Sequence, residues 1–238
     1  MIVCLDSGNT RIKWGVHDGD RWLAQGGVAH GDIEQLGQLP GNWPNPDRVM
    51  LANVAGAEAG GRIRDQLAPW LPVFQEVRSK SSACGISNLY AKPESLGADR
   101  WCALIGARGL TASAALVVMA GTATTIDSIN ARGQFLGGLI LPGIDLMLCS
   151  LAKETAALPF ARGVHSTLPR CTDDAIVSGA IEAQAGAIER AFSRLDDSHA
   201  VCIISGGNAG LLAQYLVIPY LLTDNLPLEG LRRLAFEP

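Results

Sequence analysis

Two short glycine-threonine stretches hold the residues best suited to chemistry. One is Asp6-Ser7-Gly8-Asn9-Thr10, the other Gly121-Thr122-Ala123-Thr124-Thr125-Ile126-Asp127, and a short apolar strand feeds each. Glycine lets the backbone approach a ligand closely, and such turns offer it hydroxyls and amide N–H groups. The same design twice in one chain points to two related lobes facing a cleft, an arrangement suited to a nucleotide's phosphates. Asp6 ends its strand, where open α/β sheets put ligands. Phosphate repels a carboxylate, so the useful role of Asp6 is to hold Mg2+ or a metal-bound water. Gly8, Asn9 and Thr10 would supply close backbone and hydrogen bonds, with Arg11 or Lys13 as countercharges. The plainer alternative is an Asx-type hairpin turn. Thr122 and Thr124 are candidates for gripping phosphates, against the alternative of a threonine-rich edge strand. Gly206-Gly207 reads either as a flat slot for base and ribose or as a simple turn.

The third element is Leu96-Gly97-Ala98-Asp99-Arg100, which sets a carboxylate beside a guanidinium where a helix begins. Consecutive helical residues do not share a face, so an i,i+4 salt bridge does not explain the pair. Asp99 as a helix cap is one reading. In the other, Asp99 accepts the proton of an attacking alcohol and Arg100 binds a substrate carboxylate through two hydrogen bonds. Lys153, Glu154, Arg162, Asp196 and Asp197 read as ordinary solvated charge.

The elements that position these residues follow from pattern. Strands are expected at 2–6, 11–17 and 21–28, with Asp18-Gly19-Asp20 as a hairpin turn. A helix is expected over 32–38 and a proline-broken loop over 39–46. A strand at 48–53, a helix at 57–68 and a strand at 72–77 come next, then an irregular stretch at 88–96 and a helix at 99–110. Strands at 115–119, 124–129 and 134–141 repeat the opening order of strand, glycine turn, strand, tight turn, strand. Helices at 144–154 and 173–194 follow, the second with a stripe through Ile176, Ala180, Gln184, Ile188 and Phe192 and with Thr172 or Asp173 as its cap. A strand at 201–205, a helix-like segment and a short strand near 217–222 close the chain. The class is α/β.

Composition narrows the function. The 238 residues suffice for one large domain or two modest ones. A net charge of -4 argues against a general nucleic-acid surface. No run approaches the roughly 18 apolar residues of a membrane span, and the opening Met1-Ile2-Val3-Cys4-Leu5-Asp6 is not that of a signal peptide. The six cysteines are dispersed without CxxC spacing, and the four histidines are isolated. Neither a zinc site nor a disulfide framework is encoded locally, so reduced thiols in apolar surroundings and a cytoplasmic location are expected.

Taken in order, the segments resemble those of type III pantothenate kinases, which belong to the acetate and sugar kinase/Hsp70/actin superfamily. The likeness runs through Asp6 to Thr10, Tyr90-Ala91-Lys92-Pro93, Gly97 to Arg100, Ala120 to Asp127, Gly137 to Gly143, Thr172 to Gly179 and Ser205-Gly206-Gly207. It implies two tandem ribonuclease H-like lobes, 1–96 with the first phosphate turn and 97–238 with a linking helix, the second turn and the substrate pocket. Residues 6–13 (Asp6, Ser7, Gly8, Asn9, Thr10, Arg11, Ile12 and Lys13) would face ATP, with Asp6 organising Mg2+ and Thr122 on the phosphates. Tyr90, Gly97, Ala98, Asp99, Arg100 and Thr172 would line a pantothenate pocket, with Asp99 as proton acceptor. The implied activity makes 4'-phosphopantothenate in a cytoplasmic homodimer whose pocket draws on both subunits, with no nucleic-acid or membrane partner. The pattern breaks at Met119, where the family usually carries an aspartate for a monovalent cation, K+ or NH4+. A thioether does not replace a carboxylate for a hard alkali cation. The alternatives are a weakly active or non-catalytic regulatory relative, like the Bvg accessory factors, or a kinase of another small alcohol or acid.

Overall fold

The computed structural model describes residues 1–237. In chain order the elements are β1 (Ile2–Ser7), β2 (Arg11–His17), β3 (Trp22–Ala29), a 3-10 stretch (His30–Gln38), α1 (Leu39–Asn42), β4 (Arg48–Asn53) and α2 (Ala57–Gln66). After a second 3-10 stretch (Ala68–Val73) come β5 (Phe74–Glu76), β6 (Ser82–Ala83), β7 (Ile86–Asn88) and α3 (Ala98–Leu110). Then follow β8 (Ala115–Ala120), β9 (Ala123–Ile129), β10 (Gln134–Pro142), α4 (Ile144–Glu154) and α5 (Thr172–Phe192). The chain ends with β11 (Val201–Ser205), α6 (Ala209–Ala213), β12 (Tyr220–Leu222) and α7 (Leu226–Phe236). The chain therefore has the expected α/β class.

The elements form two compact units. The first contains Met1–Ala112, Gly133–Phe135 and the stretch beginning at Asn225; the second contains Ser113–Arg132 and Leu136–Asp224. In the first, the sheet order is β3-β2-β1-β4-β5, antiparallel across β1, β2 and β3 and parallel through β4 and β5. β1 is buried on both faces. Val3 and Leu5 pack with Ile12, Val49, Leu51, Ile63 and Trp70. Ile2 and Cys4 are buried at the alternate positions, as period-two alternation requires.

α3 is apolar nearly all round, with residues 100–107 all buried, which marks a helix enclosed on every side. It packs against α7. A side chain at Gly230 would overlap the Cys102 backbone, and one at Gly106 would meet the Leu226 carbonyl oxygen at 2.5 Å. Glycines thus let the two helices approach. This packing puts α3 in the first unit, whereas the sequence expectation set 97–110 with the second lobe. α7 itself was not anticipated; neither were β6, β7 and the one-turn α1 inside the expected loop. In α1, Pro40 occupies the first turn, where its missing N–H costs nothing.

The second unit repeats the sheet order of the first. The second sheet is seven-stranded, β12-β11-β8-β9-β10-β7-β6, and it is the run β10-β9-β8-β11-β12 that matches the first, with β8 antiparallel to β9 and parallel to β11, and β11 parallel to β12. Leu116, Val118, Ala120, Ile126, Cys202 and Ile204 face a core shared with α4, α5 and α6. The α5 stripe is buried at Ile176, Ala180, Gln184 and Ile188, and Gln184 Nε2 donates to the Pro142 carbonyl at 2.6 Å. The expected cap is absent: Thr172 already lies inside α5, and Cys171 at the N-cap position makes no side-chain cap bond.

Candidate active site

In the first unit, Asp6 stands at the end of β1, opposite Lys13 on β2. Its Oδ1 is enclosed and has no protein partner, and the Ser7 hydroxyl is in the same condition. Burial, then the charge of Asp99, push the Asp6 carboxyl up to about 7, while the Lys13 ammonium pulls the other way. Asp99 opens the first turn of α3 and is likewise raised, by burial, against the Arg100 backbone N–H and charge. That N–H donates to Asp99 Oδ1 at 2.8 Å. Gly97 makes room for the carboxylate, since a Cβ there would sit 2.6 Å from the same oxygen. Asp6 and Asp99 are thus two half-buried carboxylates with raised affinity for protons, with Lys13 opposite the first, a character common at functional sites.

Arg100 is 6% exposed. Its Nη1 donates to the Tyr90 hydroxyl at 3.2 Å, and its guanidinium lies 5.8 Å from the Tyr90 ring centre and 5.9 Å from that of Phe135. Tyr90 is fixed from behind as well, its N–H donating to Asn88 Oδ1 at 3.1 Å. Arg100 therefore supports the ring. Among the other expected ATP-facing residues, Ile12 is fully buried in the first unit's core, so its side chain cannot touch a ligand. Arg11 donates to the Gly27 carbonyl at 3.0 Å, which leaves Lys13 as the countercharge to Asp6. Asn9 and Thr10 are exposed.

In the second unit, three glycine segments meet where β8 ends. Gly121 N donates to the Ala123 carbonyl at 3.1 Å, Gly143 N to the Thr122 carbonyl at 2.9 Å, and Asn208 N to the Ala120 carbonyl at 3.0 Å. Gly206 has φ +108° and no space for a Cβ beside Ala120. Thr122 is exposed at this junction, whereas Thr124 is 1% exposed, so the sequence reading of Thr124 as a phosphate grip does not hold. Met119 occupies the same place in this sheet that Asp6 occupies in the first, two residues before the turn glycine. Thr125 on β9 and Ser205 on β11 flank it, and both hydroxyls are buried without a protein partner. These donors are neutral and the central one is a thioether, a set that does not fit a carboxylate-held alkali cation. Thr172 lines a largely apolar groove of about 830 Å³, with Met147, Leu151, Cys171 and Ile176.

His30 and Phe135 were not singled out from the sequence. His30 Nε2 lies 2.7 Å from the Gly8 carbonyl, a pairing across 22 residues that no local pattern signals. The solvated charges behave mostly as read, except that Asp197 accepts N–H bonds from Ala114 and His199, both at 2.8 Å. All six cysteines are free, and three of them are buried. Among the described residues no three His, Cys, Asp or Glu side chains form a metal cluster, and no helix is long and apolar enough to cross a membrane.

An α/β chain with two sheets that share a five-strand order, with a glycine turn after β1 in one and after β8 in the other, has the fold of the acetate and sugar kinase/Hsp70/actin superfamily. An activator of 2-hydroxyisocaproyl-CoA dehydratase from Clostridium difficile, solved with bound ADPNP, matches at TM-score 0.55 and 14% identity, over 98% of this chain and 92% of that one. A Campylobacter jejuni protein described as a conserved Baf family transcriptional activator matches at TM-score 0.66 and 19% identity, over 98% and 96%. At such identities these likenesses speak for the fold alone. Residues 2–194 match the type III pantothenate kinase family, and the chain belongs to it. The type III pantothenate kinase of Dechloromonas aromatica is 67% identical over 237 residues, covering 100% of both chains. That of Aromatoleum aromaticum is 49% identical over 240 residues, covering 100% of this chain and 98% of the other.

Proposed function

We propose that this protein transfers the γ-phosphoryl group of ATP to the primary hydroxyl of pantothenate, giving 4'-phosphopantothenate for coenzyme A synthesis. The observation that carries the reading is the 67% identity, end to end, with a relative named for that activity. The charge arrangement agrees with it. Asp99 takes the proton of the attacking alcohol, and its raised affinity for protons makes it a better base than a solvated carboxylate. The enclosed Asp6 Oδ1 is a ready ligand for Mg2+ or for one of its waters. Mg2+, when bound, neutralises charge on the phosphate oxygens. Ser7, Gly8, Asn9, Thr10, Lys13 and Thr122 are the residues assigned to the nucleotide. Tyr90, Gly97, Ala98 and Thr172 receive pantothenate, with Arg100 steadying Tyr90.

The matching strand orders support two tandem ribonuclease H-like lobes. Exposed Leu136, Leu139, Ile140 and Leu146 suit a face covered in a homodimer. The test is pantothenate-dependent ADP release with ATP and Mg2+ in sodium, potassium and ammonium salts. Turnover is expected, and the product should be 4'-phosphopantothenate. Met119 favours one rival, a regulatory relative without efficient transfer. Absence of product in every salt would leave that rival standing, and turnover only with another alcohol or acid would move the substrate.

A further inference from the structure

The Asp6–Thr10 turn depends on a residue outside it. His30 begins the 3-10 stretch after β3, is half-buried, and has its Nε2 2.7 Å from the Gly8 carbonyl oxygen. A carbonyl only accepts, so Nε2 carries the hydrogen and donates. The backbone of His30 is anchored in turn: Arg62 Nη2 on α2 donates to its carbonyl at 3.2 Å, and Arg62 lies 3.9 Å from Glu34. On the other side, Gly8 N donates to the Arg11 carbonyl at 3.1 Å.

The bond has a geometric consequence. The Gly8 carbonyl and the Asn9 N–H belong to one planar trans peptide and point in opposite directions. Holding the carbonyl toward His30 therefore aims the Asn9 N–H away from it. Glycine gives this peptide wide rotational freedom, so without the imidazole its orientation is weakly determined. Asn9 and His30 also line one small polar recess of about 220 Å³, with Glu58 and Arg62.

We infer that His30 is a positioning residue for the nucleotide: it latches the Gly8–Asn9 peptide so that the Asn9 N–H is presented to phosphate oxygens. This rests on the reading of the turn as an ATP site. It assigns His30 a role in nucleotide affinity and none in receiving the alcohol.

The test compares His30→Phe, which keeps an aromatic ring without a donor, with His30→Gln, whose amide nitrogen reaches about as far as Nε2. One neutral hydrogen bond corresponds to about a 3- to 10-fold effect, so His30→Phe should raise KM for ATP by about that factor. KM for pantothenate should stay unchanged, and His30→Gln should recover most of the loss. In ligand-free protein, 1H–15N spectra should show the Asn9 amide displaced in His30→Phe and restored in His30→Gln. An unchanged Asn9 amide and unchanged KM for ATP in His30→Phe would overturn the latch. Equal losses toward both substrates, with a matching fall in Tm, would make His30 structural only. Failure of the unaltered protein to bind ATP at all would overturn the reading of the turn, and the latch's role with it, even with the Asn9 displacement intact.

Discussion

Apart from the burial that acts on both, Asp6 feels the negative charge of Asp99 more strongly than the positive charge of Lys13 opposite it. β1 and α3 thus bring two carboxylates together inside one compact unit. Their environments push both toward protonation, Asp6 as far as about 7. Sites that divide metal binding from base catalysis between two acids commonly have this character.

If Asp99 is the base, Asp99→Asn should lower kcat by about 10²-fold or more, the usual range for general-base catalysis. The amide oxygen can still accept the Arg100 N–H, so nucleotide affinity should persist. Steady-state kinetics with a separate nucleotide titration checks both points. Only ionised Asp99 accepts a proton, and its raised pKa moves the acid limb of kcat/KM above the ordinary carboxylate range, near 4. A limb at or below 4 would remove Asp99 from the role.

Asp6 links stability to pH with a definite sign. Below the unfolded value, near 3.8, the carboxyl is protonated in both states and its contribution is fully present. As pH rises toward about 7, the unfolded chain ionises freely while the native state holds its proton, so stability falls. Asp6→Asn removes the charge, and should be more stable than the natural protein at pH 8, by a smaller margin at pH 5. The gain is at most a few kcal/mol, since one pKa unit is about 1.4 kcal/mol. Urea unfolding at both pH values decides it; a gap that widens on acidification would contradict the assignment.

Both three-stranded hairpins were legible because their signals are local. Asp18-Gly19-Asp20 turns with Gly19 at φ +117°, and alternation along 11–17 gave the strand that ends at the buried His17. The rest depends on chain return. Ile12 reads as a neighbour of Asn9 in sequence, yet strand alternation sends it into the core. α7 does carry a local signal, Asn225 before Pro227 and then Leu228, Leu231 and Ala235. Its partners were beyond reach: Glu229 accepts the Trp22 Nε1–H at 2.5 Å across 207 residues. The Gly230–Cys102 approach is equally nonlocal.

Met119 predicts the response to salt. With a thioether flanked by two neutral hydroxyls, turnover should be the same in potassium and sodium chloride at equal ionic strength. Met119→Asp puts a carboxylate between Thr125 and Ser205, where burial penalises it unless a cation pairs with it. That variant should lose Tm in sodium or choline chloride, recover it in potassium chloride, and acquire potassium-dependent turnover. Strong potassium activation of the natural protein would show that its neutral oxygens suffice.

The closure of the second unit's glycine junction is tested at two adjacent positions. Gly206 has positive φ, and a Cβ there would run into the Ala120 backbone; Gly207 has neither constraint. In Gly206→Ala the left-handed conformation costs on the order of 1–2 kcal/mol, and overpacking adds about 1–3 kcal/mol. Relief requires the β11 end to move off Ala120, which also strains the Asn208 N–H bond to the Ala120 carbonyl. Because Ala120 leads directly into Gly121 and Thr122, this movement should raise KM for ATP as well as lower stability. Gly207→Ala meets no atom within 4 Å and should leave Tm unchanged. Urea titrations and ATP kinetics on the two variants separate a constrained junction from an ordinary glycine-rich turn, for which the two substitutions would have equal effects.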